Sequence, residues 1–117
     1  MPTRSLDKTQ RQRYFDRISR ELGSKLAEVE ITGLGLGNQL AQDWTVLRGM
    51  AYDPDTDTFE LVTDGLDHLV VHPREVYVED GADGLHSVQV IDADGNRQLI
   101  RLRSPLALPS DEPRSSH

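Results

Sequence analysis

The sequence predicts an α+β domain, in which an N-terminal amphipathic helix packs on a curled, mainly antiparallel sheet of about six strands that forms a small, partly open barrel. Two observations predict this fold. Apolar residues near the start recur at intervals of three and four, whereas after Gly23 they alternate with polar residues. Turn-forming residues then separate the alternating segments, which is typical of antiparallel hairpins.

The length and composition indicate one domain. A chain of 117 residues with 36% hydrophobic and 28% charged residues can build one core without cross-links. We expect residues 1–25 to form the helix of this domain, residues 26–109 its β-rich body, and residues 110–117 a disordered tail. The chain has no cysteine and no apolar run near the ~20 residues of a membrane span, which predicts a cytoplasmic protein that does not bind membranes.

The helix is predicted from one apolar stripe and one capping signal. The stripe consists of Tyr14, Phe15, Ile18 and Leu22. Ser5 or Asp7 is the expected N-cap, and Asp7 has Gln10 three places later as in a capping box. Four arginines are expected on the remaining, solvated faces: Arg11, Arg13, Arg17 and Arg20.

Charge is divided unevenly along the chain. Residues 1–25 carry seven Lys/Arg and three Asp/Glu, a net charge of +4, and residues 26–117 carry six Lys/Arg and seventeen Asp/Glu, a net charge of -11. Nucleic acids and anionic lipids bind through clustered cations, so an acidic body disfavours both as partners.

The alternating segments also predict the core of the sheet. Trp44, the single tryptophan, is expected to anchor that core, because a large aromatic supplies much of the apolar area of a small domain. The turns are expected at Asp53–Asp57 and Asp92–Gly95. Between them, four apolar residues are expected to point inward: Leu69, Val71, Val76 and Val78.

The stretch Leu66–Asp80 holds a candidate polar cluster. Its members are Asp67, His68, His72, Arg74 and Glu75. In a helix, the spacing of His68 and His72 would bring both imidazoles together, as in zinc-binding helices. In a strand the same four residues separate them by roughly 13 Å, too far to share one metal. Two consecutive valines and Pro73 favour the strand, so we expect neither a bound metal nor a catalytic residue in this cluster.

Six segments of the chain resemble a small bacterial family of unknown function. They are Leu6-Asp-Lys-Thr-Gln10, Tyr14-Phe-Asp16, Gly65-Leu-Asp-His-Leu69, His72-Pro-Arg-Glu75, Asp92-Ala-Asp-Gly95 and Leu102-Arg-Ser-Pro-Leu106. The resemblance extends from about Leu6 to Pro109. The resemblance implies a single compact bacterial domain and does not imply any activity.

Two functions remain open at the level of sequence. We expect a non-catalytic interaction module without a cofactor, which uses the rim at His72–Glu75 and an exposed strand edge to bind a protein partner or a second copy as a homodimer. The alternative is a small-ligand or metal-assisted hydrolytic site built from Asp67, His68, His72 and Asp80, with a histidine as base. The sequence favours the first over an enzyme, because the catalytic motifs sought, a nucleophile elbow, a Walker loop and His-Glu-x-x-His, are absent.

Overall fold

The structure is a computed structural model that describes residues 3–21, 25–33, 37–65 and 67–106. The described chain contains one helix, α1 (Lys8–Glu21). Its strands are β1 (Thr3–Leu6), β2 (Leu26–Gly33), β3 (Gly37–Asp53), β4 (Thr58–Thr63), β5 (Asp67–Val71), β6 (Glu75–Gly81), β7 (Gly84–Ile91) and β8 (Arg97–Leu106). The predicted tail at 110–117 and Leu22 of the predicted helix stripe lie outside the described residues.

The strands form one eight-stranded sheet in the order β1-β6-β7-β8-β2-β3-β4-β5, and every neighbouring pair is antiparallel. This confirms the α+β class, with eight strands instead of about six. In the described part of the chain, β1 and β5 are the edge strands and do not pair with each other, so the sheet is not closed into a barrel. β1 is too short to show a period of two, and it is held in place by β6, from Thr3 opposite Glu79 to Leu6 opposite Val76.

β3 joins the two parts of the sheet. Its first half pairs with β2, from Gly37 opposite Gly33 to Val46 opposite Leu26, and its second half pairs with β4, from Leu47 opposite Thr63 to Asp53 opposite Thr58. Register shifts interrupt both ladders near this change of partner. Such irregularities bend a strand, which lets β4 and β5 turn toward the rest of the sheet.

The helix begins as predicted. Asp7 Oδ1 accepts the backbone N–H groups of Thr9 and Gln10 at 3.0 and 3.2 Å, and Gln10 Oε1 accepts the Asp7 N–H at 3.1 Å, which completes the capping box. Three members of the predicted stripe are buried: Tyr14, Phe15 and Ile18. The Phe15 ring contacts the Phe59 ring of β4 edge to face, with centroids 5.1 Å apart, so the helix is fixed against the far part of the sheet.

The core combines the helix stripe with the inward positions of the strands. Its strand residues are Leu6, Ala27, Val29, Leu47, Met50, Tyr52, Phe59, Leu61, Val70, Val76, Val78, Leu85, Val88, Val90, Ile100 and Leu102. The prediction that Trp44 anchors this core was wrong. Trp44 is 41% exposed, its φ of 22° coincides with the irregular middle of β3, and the Arg103 guanidinium lies 6.0 Å from its ring. The irregularity breaks the alternation that would have turned the indole inward.

Candidate functional site

β5 carries exposed apolar side chains at a free edge of the sheet. It pairs with β4 from Asp67 opposite Val62 to Val71 opposite Thr58, and no described strand pairs with its other side. Leu69 and Val71 are each 57% exposed, whereas Val70 is buried. The prediction that Leu69 and Val71 belong to the core was therefore wrong. The alternation was read with the wrong face inward, since His68 and Val70 point toward the core side.

A cavity of about 290 Å³ lies between this edge and the turn that joins β7 to β8. We call it the seam cavity, because it lies along the junction of β5 with the turn between β7 and β8. Its lining residues are Ile31, His68, Leu69, Val70, Val71, Asp92, Ala93, Asp94, Asn96 and Gln98. The turn on its far side is well ordered by hydrogen bonds, because Asp92 Oδ1 accepts the N–H groups of Asp94 and Asn96, both at 2.9 Å.

Two polar atoms of the seam cavity are buried without a hydrogen-bond partner among the described residues: His68 Nε2 and Gln98 Oε1. Gln98 is only 3% exposed and lies in β8 between Val90 of β7 and Ile31 of β2. Burial lowers the pKa of His68, against a smaller opposing effect of Asp92, and so favours the neutral imidazole. Buried polar groups normally have partners, and both of the residues that carry these atoms line the same cavity.

His72 belongs to a different cluster. It has a φ of 56°, its N–H donates to the Asp57 carbonyl at 2.8 Å, and its Nδ1 lies 3.3 Å from Asp57 Oδ2. The Tyr52 hydroxyl donates to Asp57 Oδ1 at 2.6 Å, which lowers the pKa of Asp57 together with smaller effects of His72 and Lys8. These contacts tie the segment after β5 to the turn between β3 and β4.

Arg11 completes this cluster from the helix. The sequence placed Arg11 on a solvated face, but it is only 3% exposed. Its guanidinium donates to the carbonyl oxygens of Leu6 at 3.4 Å, Pro73 at 3.1 Å and Arg74 at 3.3 Å, and it lies 5.4 Å from the centroid of the Tyr52 ring. We call this arrangement the Arg11 corner. It fixes the connection from β5 to β6, so His72 has a structural role there.

The remaining predicted residues also lie apart from the seam cavity. Asp67 is exposed at the start of β5, where its hydrogen bond to Glu60 raises the pKa of Glu60. Arg74 is exposed, and its N–H donates to the Ile91 carbonyl at 2.7 Å. Glu75 accepts the Tyr77 hydroxyl at 3.0 Å. The structure thus divides the predicted polar cluster, and only His68 lines the cavity.

Asp80, the fourth residue of the alternative hydrolytic site, lies at the opposite edge of the sheet. Arg4 binds its carboxylate through two nitrogens, at 3.1 and 2.9 Å, and the Tyr14 hydroxyl donates to it at 2.9 Å. The Arg4 hydrogen bonds are the main reason why the pKa of Asp80 is lowered. Within the described residues, no group of three or more histidine, aspartate or glutamate side chains is arranged to hold a metal ion.

Gln98 and Arg11 were missed by sequence reasoning, although each carried a signal. Gln98 alternates with Ile100 and Leu102, both buried, so the period of two already turned a polar side chain inward. Arg11 stands three and four places before Tyr14 and Phe15, on the same helix stripe. Arg11 was expected on a solvated face because of its charge, and no position was assigned to the Gln98 side chain from the sequence.

Comparison with known proteins gives the chain a family. The profile of a family described as "Family of unknown function (DUF5335)" matches residues 2–111. An uncharacterized protein of Aquifex aeolicus (strain VF5) is 33% identical over 110 residues, which cover 93% of this chain and 99% of that relative. No solved structure matches the chain. Among the described residues, no helix is long and apolar enough to cross a membrane.

Proposed function

The chain belongs to the DUF5335 family of unknown function, as the sequence resemblance predicted, and we propose that it is an interaction module that binds an extended segment of a partner protein as an added strand on β5. The observation that carries this proposal is the free edge of β5, where Leu69 and Val71 are both 57% exposed. An edge strand presents unpaired backbone groups, and exposed apolar side chains beside them give an added strand something to pack against.

The two edges of the sheet differ in a way that supports this choice. At the β1 edge, exposed Arg4 is engaged by Asp80, and a charged edge discourages strand addition. β5 has no proline and no lysine within Asp67–Val71 and shows an apolar outer face. Edge strands with exposed apolar side chains and without lysine or proline are favourable sites of strand addition.

Charge favours a basic segment of another protein as the occupant of β5. Residues 26–117 carry a net charge of -11, and Asp67, Asp92 and Asp94 border the β5 edge and the seam cavity. These charges attract a cationic segment, whereas two copies that each carry a net charge of -7 repel each other. The second copy is therefore the other outcome of the test. We propose the cytoplasm as the location, because a chain without cysteine fits a reducing compartment.

The alternative hydrolytic site receives no support from the geometry. His68 lines the seam cavity, His72 is bound to Asp57 in the Arg11 corner, and Asp80 is bound to Arg4 and Tyr14. A general base must lie within hydrogen-bond reach of the group it activates, and these side chains do not share one space.

A labelled peptide tests the proposal. The probe is Thr-Val-Thr-Val-Arg-Val-Thr-Val-Thr with an N-terminal fluorescein, which as a strand presents valines on one face and the arginine on the other. We expect saturable binding by fluorescence polarization, and we expect the double variant Leu69→Lys/Val71→Lys to bind at least about tenfold more weakly. The control is Thr3→Lys/Ser5→Lys, which adds the same charge to exposed positions of β1 and should bind as the wild type does.

Three results would overturn this proposal. The first is no binding of the probe by the wild-type protein at millimolar concentration. The second is equal binding by both double variants. The third is a dimer, measured by light scattering, that the β5 variant dissociates and the β1 variant does not, because the second copy would then be the occupant.

A further inference from the structure

The seam cavity has the chemistry of an acceptor site. Gln98 Oε1 can only accept hydrogen bonds, and it is buried without a partner in the described chain. His68 Nε2 is buried and unpartnered as well, and the neutral imidazole accepts at one of its two ring nitrogens. A buried acceptor without a partner, such as Gln98 Oε1, destabilises the protein as long as no donor reaches it. The ligand expected in this cavity therefore carries N–H or O–H donors.

The charge around the seam cavity selects a cation among these donors. The titratable side chains that line it are His68, Asp92 and Asp94, and no lysine or arginine is among its described lining residues. The Asp92 carboxylate is close enough to act on the pKa of His68. An anion would meet two carboxylates in this space, whereas a guanidinium or ammonium group meets two charges of opposite sign and at least one unpaired acceptor.

The size of the seam cavity limits the ligand further. Its volume of about 290 Å³ is at the lower end of what drug-sized ligands need, so it suits a single side chain or a molecule of that size. Leu69 and Val71 are among its lining residues, and they belong to the edge where a strand would be added. Alternate side chains of an added strand point to the same face, so one of them enters the cavity.

We infer that the seam cavity is a specificity pocket for a guanidinium or ammonium side chain. This inference rests on the proposed strand addition to β5 and adds the requirement that an arginine or lysine of the partner enters between His68 and Gln98. Arginine fits best, because its planar guanidinium offers five N–H donors in a fixed fork to acceptors on several sides.

A matched set of probes tests the pocket. The central arginine of the labelled peptide is replaced by citrulline, which keeps the shape without the charge, and by leucine. We expect the wild-type protein to bind the arginine probe at least about tenfold more tightly than either. Gln98→Leu, which keeps the side-chain volume close to that of glutamine, should abolish the preference over leucine, and Thr3→Lys/Ser5→Lys should retain it. Circular dichroism and thermal unfolding check that each variant is folded.

Free agmatine tests the pocket without strand addition. Titrated into ¹⁵N- and ¹³C-labelled protein, it should shift the side-chain signals of His68 and Gln98, and Gln98→Leu should weaken its binding at least about tenfold. Equal binding of the three probes, all sensitive to Leu69→Lys/Val71→Lys, would leave strand addition standing and overturn the pocket. Agmatine binding without any peptide binding would leave the pocket standing and overturn strand addition. No agmatine shift, with unchanged probe preference in Gln98→Leu, would overturn the pocket.

Discussion

Replacing Arg11 by methionine should destabilise the protein more than any other single arginine substitution on the helix. Methionine keeps an unbranched apolar stem of similar reach but removes the guanidinium. That group is only 3% exposed in the Arg11 corner. Its hydrogen bonds to the Leu6, Pro73 and Arg74 carbonyl oxygens measure 3.4, 3.1 and 3.3 Å. The substitution therefore leaves three carbonyl groups without their donor.

The magnitude follows from these contacts. A hydrogen bond from a charged donor contributes about 1.5–3 kcal/mol. The bonds to Pro73 and Arg74 are long for hydrogen bonds of this type, so we assign the lower value to each. The 3.4 Å bond to Leu6 adds little, and the contact with the Tyr52 ring at 5.4 Å adds about 0.5–1 kcal/mol. Removing a buried charge also restores part of the lost free energy of unfolding, because the guanidinium no longer has to be desolvated. We expect a net loss of about 3 kcal/mol, which lowers the Tm by about 12 °C in a domain of this size.

Urea unfolding at pH 7, followed by far-UV circular dichroism, measures this loss, and two variants calibrate it. Arg20→Met changes an exposed arginine in the last turn of the same helix and should stay within about 0.5 kcal/mol of the wild type. Arg11→Lys should fall between the wild type and Arg11→Met, because one ammonium cannot reach three carbonyls with a planar fork. A loss below about 1 kcal/mol in Arg11→Met, or full stability in Arg11→Lys, would refute the role of the Arg11 corner.

Three further predictions concern stability. Gly95→Ala should cost about 1 kcal/mol because its φ is 88°, whereas Gly49→Ala, which also meets open space, should be neutral or slightly stabilising; equal effects in thermal unfolding would contradict this. Asp80→Asn should cost about 1 kcal/mol at pH 7. The hydrogen bonds from Arg4 lower the pKa of Asp80, so its contribution is complete above the unfolded pKa of about 3.9 and is lost as the pH falls through the folded pKa. The difference from the wild type should therefore shrink on acidification from pH 5 to pH 2, and a constant difference would contradict it. Gln98→Leu should raise the free energy of unfolding by about 1 kcal/mol without ligand, because it removes an unpaired buried acceptor, and a loss in urea titration would show that the acceptor has a partner.

Local patterns predicted the parts of the fold that are held by local interactions. The capping box at Asp7 and the buried stripe at Tyr14, Phe15 and Ile18 both follow from residues within one or two helical turns. The turn at Asp92–Gly95 likewise follows from its own side chains, because Asp92 Oδ1 and a glycine of positive φ are sufficient to form it.

The parts that sequence could not predict depend on strand order. Whether Leu69 points inward or outward is decided by the position of β5 at the end of the sheet, and a period of two fits either face equally well. His68 and Gln98 line one cavity although they are 30 positions apart, and the curl of the sheet between their strands has no signature in either segment. His72 was grouped with His68 by proximity in sequence, yet Asp57 and Arg11 hold its segment elsewhere.

The order of strands also restricts when the chain can fold during its synthesis. β1 pairs with β6, 70 to 76 residues later, and β2 lies between β3 and β8, so that Thr32 faces Arg97 across the ladder. The first strand therefore waits for its partner until most of the chain has left the ribosome. Until then β2, β3 and β4 can form only hairpins with unfinished edges, which are the species most exposed to misassembly. Because early strands pair with late strands in the sheet, the sheet can be completed only near the end of synthesis. The chain is most exposed to misassembly before β8 has been made.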